Sequence, residues 1–419
     1  MSLESAACEH LSTLPSCRVF AQEMARDCVQ GRNVLVLTGA QLSHLALGKL
    51  LGDALWSEGG PPLFPVHLTE ADAEVRPATI LSRFTSVEED LLHPGLSPLG
   101  LPNEVVDQVF LVSGVERLPL EAQEEWVRYF SLWAKYPRTR THALVLPLPS
   151  RPDVISPTAG DTHLAMHHWW GRMSLLDVQL LCRLLEDAES DPLIATWREA
   201  ILPHLAGADV ALAAKLWDVV TEPEGIITKS LTEHGRQIGL NAVVLKGAIG
   251  RAARAQKGFG RPSAIPAALW EELWGMGAAQ YTAEHGVELT AVALAVLGQK
   301  DDVRHRIWRG QAGLLLPRLD QVRIGVCRIL TERHGAGWPI DFGKLCFTEE
   351  ELSLVKKDPL ATEFGPLRRI VIQDRAKAHT YVGLVSHARD MRNSLAHYQM
   401  VSLGDFRTLC ANQARSGLL

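Results

Sequence analysis

Arg392, Asn393 and His397 carry side chains that can grip a phosphodiester and move its protons, in the string Arg389-Asp390-Met391-Arg392-Asn393-Ser394-Leu395-Ala396-His397-Tyr398. The surrounding pattern, from about Lys377 to Tyr398, is helical. On a helix Asn393 and His397 are four apart and share a face, with Arg392 one residue to the side. An imidazole titrates near neutral pH and transfers protons. A guanidinium offsets charge building on phosphorus, and an amide orients either partner. The same residues also serve to cap or brace a helical bundle, so the pattern by itself leaves both readings open.

The longer string Arg-Asn-x-Leu-Ala-His-Tyr resembles the active-site motif of the HEPN superfamily, small helical bundles that are usually paired and many of which are RNases. The elements needed to position it extend the resemblance over about Asp301 to Leu419. Asp302 to Arg333 reads as a long helix that Pro317 should kink and that Gly335, Gly337 and Pro339 stop. Thr348 caps a further helix to Val355, with Glu349 to Glu351 suiting its positive end. Leu367 to Ile372 and Ala376 to Met391 follow, and Ser402 to Ala411 forms a last helix.

The resemblance implies metal-independent RNA cleavage. The neighbouring 2′-OH attacks phosphorus and leaves a 2′,3′-cyclic phosphate and a 5′-OH, with no metal and no cofactor. It makes Arg392, Asn393 and His397 catalytic and Tyr398 and Asp390 supporting. It further implies a homodimer through the C-terminal bundle, because one bundle carries a single Arg/His set. Many HEPN domains have lost activity and only dimerise, so a non-enzymatic adaptor is the alternative. Catalysis requires that His397 be accessible, not buried behind Phe406 and Leu409.

Upstream, Leu14 to Val29 reads as a helix and Asn33 to Thr38 as a buried strand. Gly39 and a helix from about Leu42 to Trp56 follow, the order in which a phosphate loop begins. A working loop needs G-x4-G-K-[ST]. Here eight residues separate Gly39 from Gly48-Lys49, Leu50 stands where the hydroxyl belongs, and Leu42, Leu45 and Leu47 suit a packed helix. Lys49 therefore reads as a solvated helix residue. A second strand at Asp107 to Ser113, an amphipathic helix at Leu120 to Lys135 carrying Trp126, Phe130 and Trp133, and a third strand at His142 to Leu148 complete the pattern. It resembles the Walker B and sensor region of AAA+ or STAND ATPases. The acidic residue comes late, at Glu116, and Ser113 holds the usual metal-binding place. Gly59 to Pro65 and His93 to Pro102 read as loops. This is the order of a P-loop ATPase domain without its nucleotide chemistry.

Ser150 to Thr162 marks a boundary, and the pattern beyond it is helical. Ser174 with Asp177 forms a capping-box signature. Pro192 opens a helix through Leu202 with Trp197 on its apolar side, and Ala208 to Val220 is a third helix. The region resembles the helical or winged-helix appendage of STAND proteins. His163, His167 and His168 include an i,i+4 spacing that suits a metal on a helix, but no Cys or acid completes a set, and satisfied structural histidines are expected. Trp169-Trp170 reads as core or an inter-domain contact. The run Gly247 to Arg261 is basic, and Arg251, Arg254, Lys257 and Arg261 with Phe259 form the best local candidate for a nucleic-acid contact. A solvated helix end followed by a Gly-rich turn is the alternative.

Composition sets the bounds. A hydrophobic fraction of 47% and a charged fraction of 21% describe an ordinary globular protein, and the net charge of -6 confines any RNA contact to a local patch. The seven cysteines form no C-x-x-C pair, which points to reduced thiols in the cytoplasm. No basic leader precedes the first apolar residues, and no apolar run reaches membrane-spanning length. The expected architecture is α/β plus all-α. Residues 1–155 form a degenerate P-loop α/β domain, 156–300 a helical or winged-helix-like region and 301–419 a HEPN-like bundle. HEPN domains joined to degenerate STAND-like modules occur in bacterial defence islands of the BREX and Pgl type. That likeness suggests an anti-phage role within a larger defence complex.

Overall fold

The structure, a computed structural model, describes residues 3–39, 42, 44–84, 89–92, 108–135, 142–148, 163–186, 191–255, 268–342, 347–374 and 378–418. The expected boundary at 150–162, the loop at 93–102, Lys257, Phe259, Arg261, Cys346 and Lys377 lie outside the described residues, as do the side chains of Leu45, Trp133 and Arg254.

Helices α1 (Leu3–His10) and α2 (Pro15–Val29) precede a five-stranded parallel sheet. Its strands are β1 (Asn33–Leu37), β2 (Leu63–His67), β3 (Gln108–Ser113), β4 (His142–Leu148) and β5 (Leu164–His168), in the order β2-β3-β4-β1-β5. Helices α3 (His44–Ser57), α4 (Pro77–Ser82) and α5 (Leu120–Lys135) complete this layer, with α2 and α5 packing on β1. Every residue of β1 is buried, which is why the strand reads as an unbroken β-branched and leucine run.

Two strands depart from expectation. Gly59 to Pro65 was expected to be a loop, but β2 begins at Leu63. Pro65 fits because β2 is an edge strand, where a missing N–H leaves no ladder bond unmade. The region after Thr162 was expected to be helical, but Leu164 to His168 pairs with β1 along its whole length.

The rest of the chain is mainly helical: α6 (Leu175–Leu185), α7 (Pro192–Ala206), α8 (Val210–Lys215), α9 (Glu224–Gln237), α10 (Ala242–Ala255) and α11 (Ala268–Gly275). An antiparallel hairpin follows, β6 (Ala279–Thr282) with β7 (Gly286–Leu289), and then α12 (Ala291–Val296). The Ser174/Asp177 capping box forms as expected, with the Asp177 N–H donating to Ser174 Oγ at 3.1 Å and the Ser174 N–H to the Asp177 carboxylate at 2.9 Å. The helix expected over Ala208 to Val220 is shorter, since α8 ends at Lys215 and a single 3-10 turn spans Val219–Thr221.

Helix α13 (Lys300–His334) is the spine of the C-terminal half and continues through Pro317. It carries α14 (Trp338–Asp341), α15 (Glu349–Lys357), α16 (Phe364–Gln373), α17 (Val382–Ala396) and α18 (Leu403–Arg415). Thr348 and Ser402 both form capping boxes. Helix α13 packs on α7 as well as on α16 and α17. The approach to α7 is close at Gly310, where a Cβ would lie 2.4 Å from the Ala200 carbonyl oxygen, so a side chain there would force the helices apart. Trp197 on α7 stacks with Phe406 on α18 at 5.6 Å between ring centroids. The buried apolar residues form one continuous cluster from Ala7 to Cys410. Among the described residues, no helix is long and apolar enough to cross a membrane.

Candidate functional site at the end of helix α17

Helix α17 buries Leu384, Val385, Ala388, Met391 and Leu395, an i, i+1, i+4, i+7, i+11 stripe. At about 100° per residue, Asp390 and Asn393 fall on the side away from that stripe, and Arg392 flanks it above Val385. The helix begins at Val382, five residues later than the expected start at Lys377, after a 3-10 turn at His379–Tyr381. Arg392, His397, Tyr398 and Asp390 are exposed and Asn393 is half-buried. Phe406 and Leu409 are buried but do not cover His397. The side chains of Arg392, Asn393 and His397 make no hydrogen bond or ion pair among the described residues. An imidazole, a guanidinium and an amide therefore share one helix end, with no side-chain partner among the described residues.

The backbone turns sharply at this point. His397 is the C-cap, with φ -102° and ψ 19°, and Tyr398 follows at φ 56°. The Tyr398 N–H donates to the Leu395 carbonyl at 3.2 Å and the Gln399 N–H to the Ser394 carbonyl at 2.8 Å. This is a Schellman closure, in which the left-handed position usually takes glycine. Among the described residues Tyr398 is the only non-glycine residue with positive φ.

Helix α13 holds this end in place. Trp308 Nε1 donates to the Leu395 carbonyl at 2.8 Å. Gln311, 1% exposed, donates through Nε2 to the Val401 carbonyl at 2.8 Å and accepts the Val401 N–H through Oε1 at 2.9 Å. The Trp308 ring lies 4.8 Å from that of Tyr398, and His305 stacks on Trp308 at 5.4 Å and 15°. Sequence reasoning missed these three residues. The available signal was their i, i+3, i+6 spacing and a glutamine set among the apolar positions Ile307, Leu314 and Leu315.

The other candidates are distributed elsewhere. Arg251 is exposed on α10 and ion-paired with Glu272 of α11, its Nε 3.1 Å from Oε2, which holds its guanidinium above the ordinary range. Arg254 is on the same helix, and Lys257 and Arg261 fall outside the described residues. His167 and His168 occupy consecutive strand positions, so they point to opposite faces and the helical i,i+4 geometry with His163 does not arise. His167 Nε2 instead meets Asp27 at 2.8 Å, and burial lowers the pKa of His168.

At the carboxyl end of β1, Lys49 is exposed on α3 and Leu50 is buried. Ser113 Oγ sits 3.0 Å from His67 Nδ1 on the neighbouring strand. Gly39, at φ 58°, packs under the Trp274 indole of α11, where a Cβ would fall 2.6 Å from Nε1. Trp170 joins this cluster, 5.5 Å from Trp274 and stacked on Tyr281 at 6.1 Å. Trp169-Trp170 thus belongs to the core, and Trp170 links the sheet to the helical region. No family model matches the chain, and no curated protein sequence matches it.

Proposed function

We propose that the C-terminal bundle is a HEPN-type endoribonuclease acting in anti-phage defence, attached to a STAND-like α/β module without nucleotide chemistry. The observation that carries this reading is the exposed end of α17, where the side chains of Arg392, Asn393 and His397 have no hydrogen-bond or ion-pair partner among the described residues. In the proposed reaction His397 moves the proton between the 2′-OH, the phosphate and the leaving 5′-oxygen. Arg392 offsets the charge on pentavalent phosphorus, and Asn393 orients the phosphate. A second copy of the chain completes the cleft with its own Arg/His set.

The first module's reading is supported by an all-parallel sheet with β1 flanked by β4 and β5 and a left-handed glycine, Gly39, two residues past the end of β1. Buried Leu50 and the Trp274 indole over Gly39 favour an inert site. The hairpin β6–β7, directly after helices α9, α10 and α11, fits a winged-helix-like middle region.

The test is incubation of the purified chain with RNA and analysis of the product ends. Cyclic phosphate and 5′-OH ends are expected, and Arg392→Ala and His397→Ala each reduce the rate at least about 100-fold. Cleavage that persists in both variants sinks the reading. The second reading, an adaptor, draws on the bracing of α17 by Trp308 and Gln311, which would serve a docking surface equally well. It predicts a stable assembly, no cleavage, and phage defence that survives both substitutions.

A further inference from the structure

We infer that Tyr398, backed by Trp308 and His305, is a stacking platform for an unpaired RNA base next to the phosphate held by Arg392 and His397. The inference rests on the nuclease reading for its choice of ligand, and its geometry stands separately. Tyr398 is 60% exposed, a large fraction for an aromatic ring that also touches two others. Its ring contacts Trp308 at 4.8 Å and His305 at 5.9 Å, and His305 is itself exposed. The Trp308 indole is held from behind by its bond to the Leu395 carbonyl, and the rings of Tyr398 and His305 rest against it.

The backbone supplies a second observation. Residue 398 is held at φ 56°, where glycine or asparagine sits with less strain. A helix stop alone would be better served by glycine, so the tyrosine ring is what the position retains at a cost in strain. Strained backbone concentrates where side-chain placement matters for function.

The chemistry selects the ligand. Single-stranded RNA is read by stacking its splayed bases on aromatic side chains, while bases inside a duplex are already stacked and unavailable. Tyr398 follows His397 in the chain at the exposed helix end that also carries Arg392, and in this proposal the stacked base brings its phosphodiester to that imidazole and guanidinium. Trp308 is a positioning residue in this scheme, and Tyr398 and His305 touch the base.

The experiment uses the full chain and a fluorescent single-stranded RNA whose 2′-hydroxyls are methylated, so that it binds but cannot be cleaved. Tyr398→Phe should bind like the parent protein. Tyr398→Gly, which removes the ring and relieves the left-handed strain, should bind roughly ten-fold more weakly, and His305→Ala a few-fold more weakly. The same strand in a duplex should compete poorly. Equal binding by Tyr398→Gly and Tyr398→Phe overturns the proposal. So does a Tyr398→Gly effect confined to sedimentation, which would assign the rings to a contact with a second copy. The two readings fail separately. Tyr398-dependent binding without cleavage of natural RNA removes only the nuclease, and cleavage at full rate by Tyr398→Gly removes only the platform.

Discussion

Trp308 and Leu395 stand 87 residues apart in the chain, yet the indole Nε1 of the first donates to the carbonyl oxygen of the second at 2.8 Å. The last carbonyls of a helix lack a full set of partners within it, and the indole adds a bond from another helix to the carbonyl that also accepts the Tyr398 N–H. Trp308 therefore fixes where α17 ends, and with it the positions of His397 and Tyr398. Gln311, one turn further along α13, does the same for the strand of backbone leading to α18 through its paired bonds to Val401.

Gln311→Leu should lower stability by about 3 kcal/mol, because the N–H and the carbonyl of Val401 both lose their partner in a buried place. Trp308→Phe should cost about 1–2 kcal/mol by removing one bond. Urea midpoints check both. A Gln311→Leu midpoint equal to that of the parent would mean that the Val401 groups find other partners.

Arg306 ties the bundle to the hairpin. It is 3% exposed, its Nη1 lies 2.9 Å from Glu288 Oε1, and it also donates to the Leu289 carbonyl. Removing Glu288 leaves a buried guanidinium without its counter-charge. Glu288→Ala should therefore cost about 3–5 kcal/mol, and replacing both partners with apolar residues should recover much of it. A double-mutant cycle by chemical denaturation measures the coupling.

His204 gives the stability a pH dependence. Burial, then the neighbouring charges of His285, Arg309 and Arg306, push its pKa down from 6.5 to about 4. The unfolded chain binds this proton more readily than the fold. The contribution is fully present above about pH 6.5 and is lost as the pH falls toward 4, amounting to roughly 3 kcal/mol. His204→Gln should flatten the stability profile over that window. A profile as steep as that of the parent protein would place the titration elsewhere.

Trp274→Ala empties the space over Gly39 and beside Trp170 and should cost about 3–5 kcal/mol. Calorimetry with ATP should show no binding by either protein, because the segment from Gly39 to Leu50 lacks the G-x4-G-K-[ST] pattern. Stoichiometric ATP binding by the variant alone would identify the indole as a plug over a working site.

Much of the local structure was legible in the residues. The apolar run of β1, the capping box at Ser174, the cap at Thr348 and the glycine stop after His334 are set by neighbours within a few positions, where periodicity and turn chemistry act. The strands β2 and β5 were missed for physical reasons. Pro65 disfavours a strand except at an edge, and being at an edge is a property of the whole sheet. Leu164 to His168 carries two histidines, one of which becomes tolerable in the interior only through Asp27.

By itself the sequence determined that Arg392 and Asn393 lie on a helix with His397 close by, that the segment from Gly39 to Leu50 lacks the G-x4-G-K-[ST] pattern, and that several helices begin and end at identifiable caps. Only the tertiary structure decided that His397 faces solvent, that Tyr398 is forced left-handed against Trp308, that Arg251 is paired with Glu272, and that Trp274 fills the place above Gly39. These relationships join segments separated by tens to hundreds of residues. Exposure, strain and charge pairing depend on which surfaces meet after the chain has closed those distances, and no local periodicity records that.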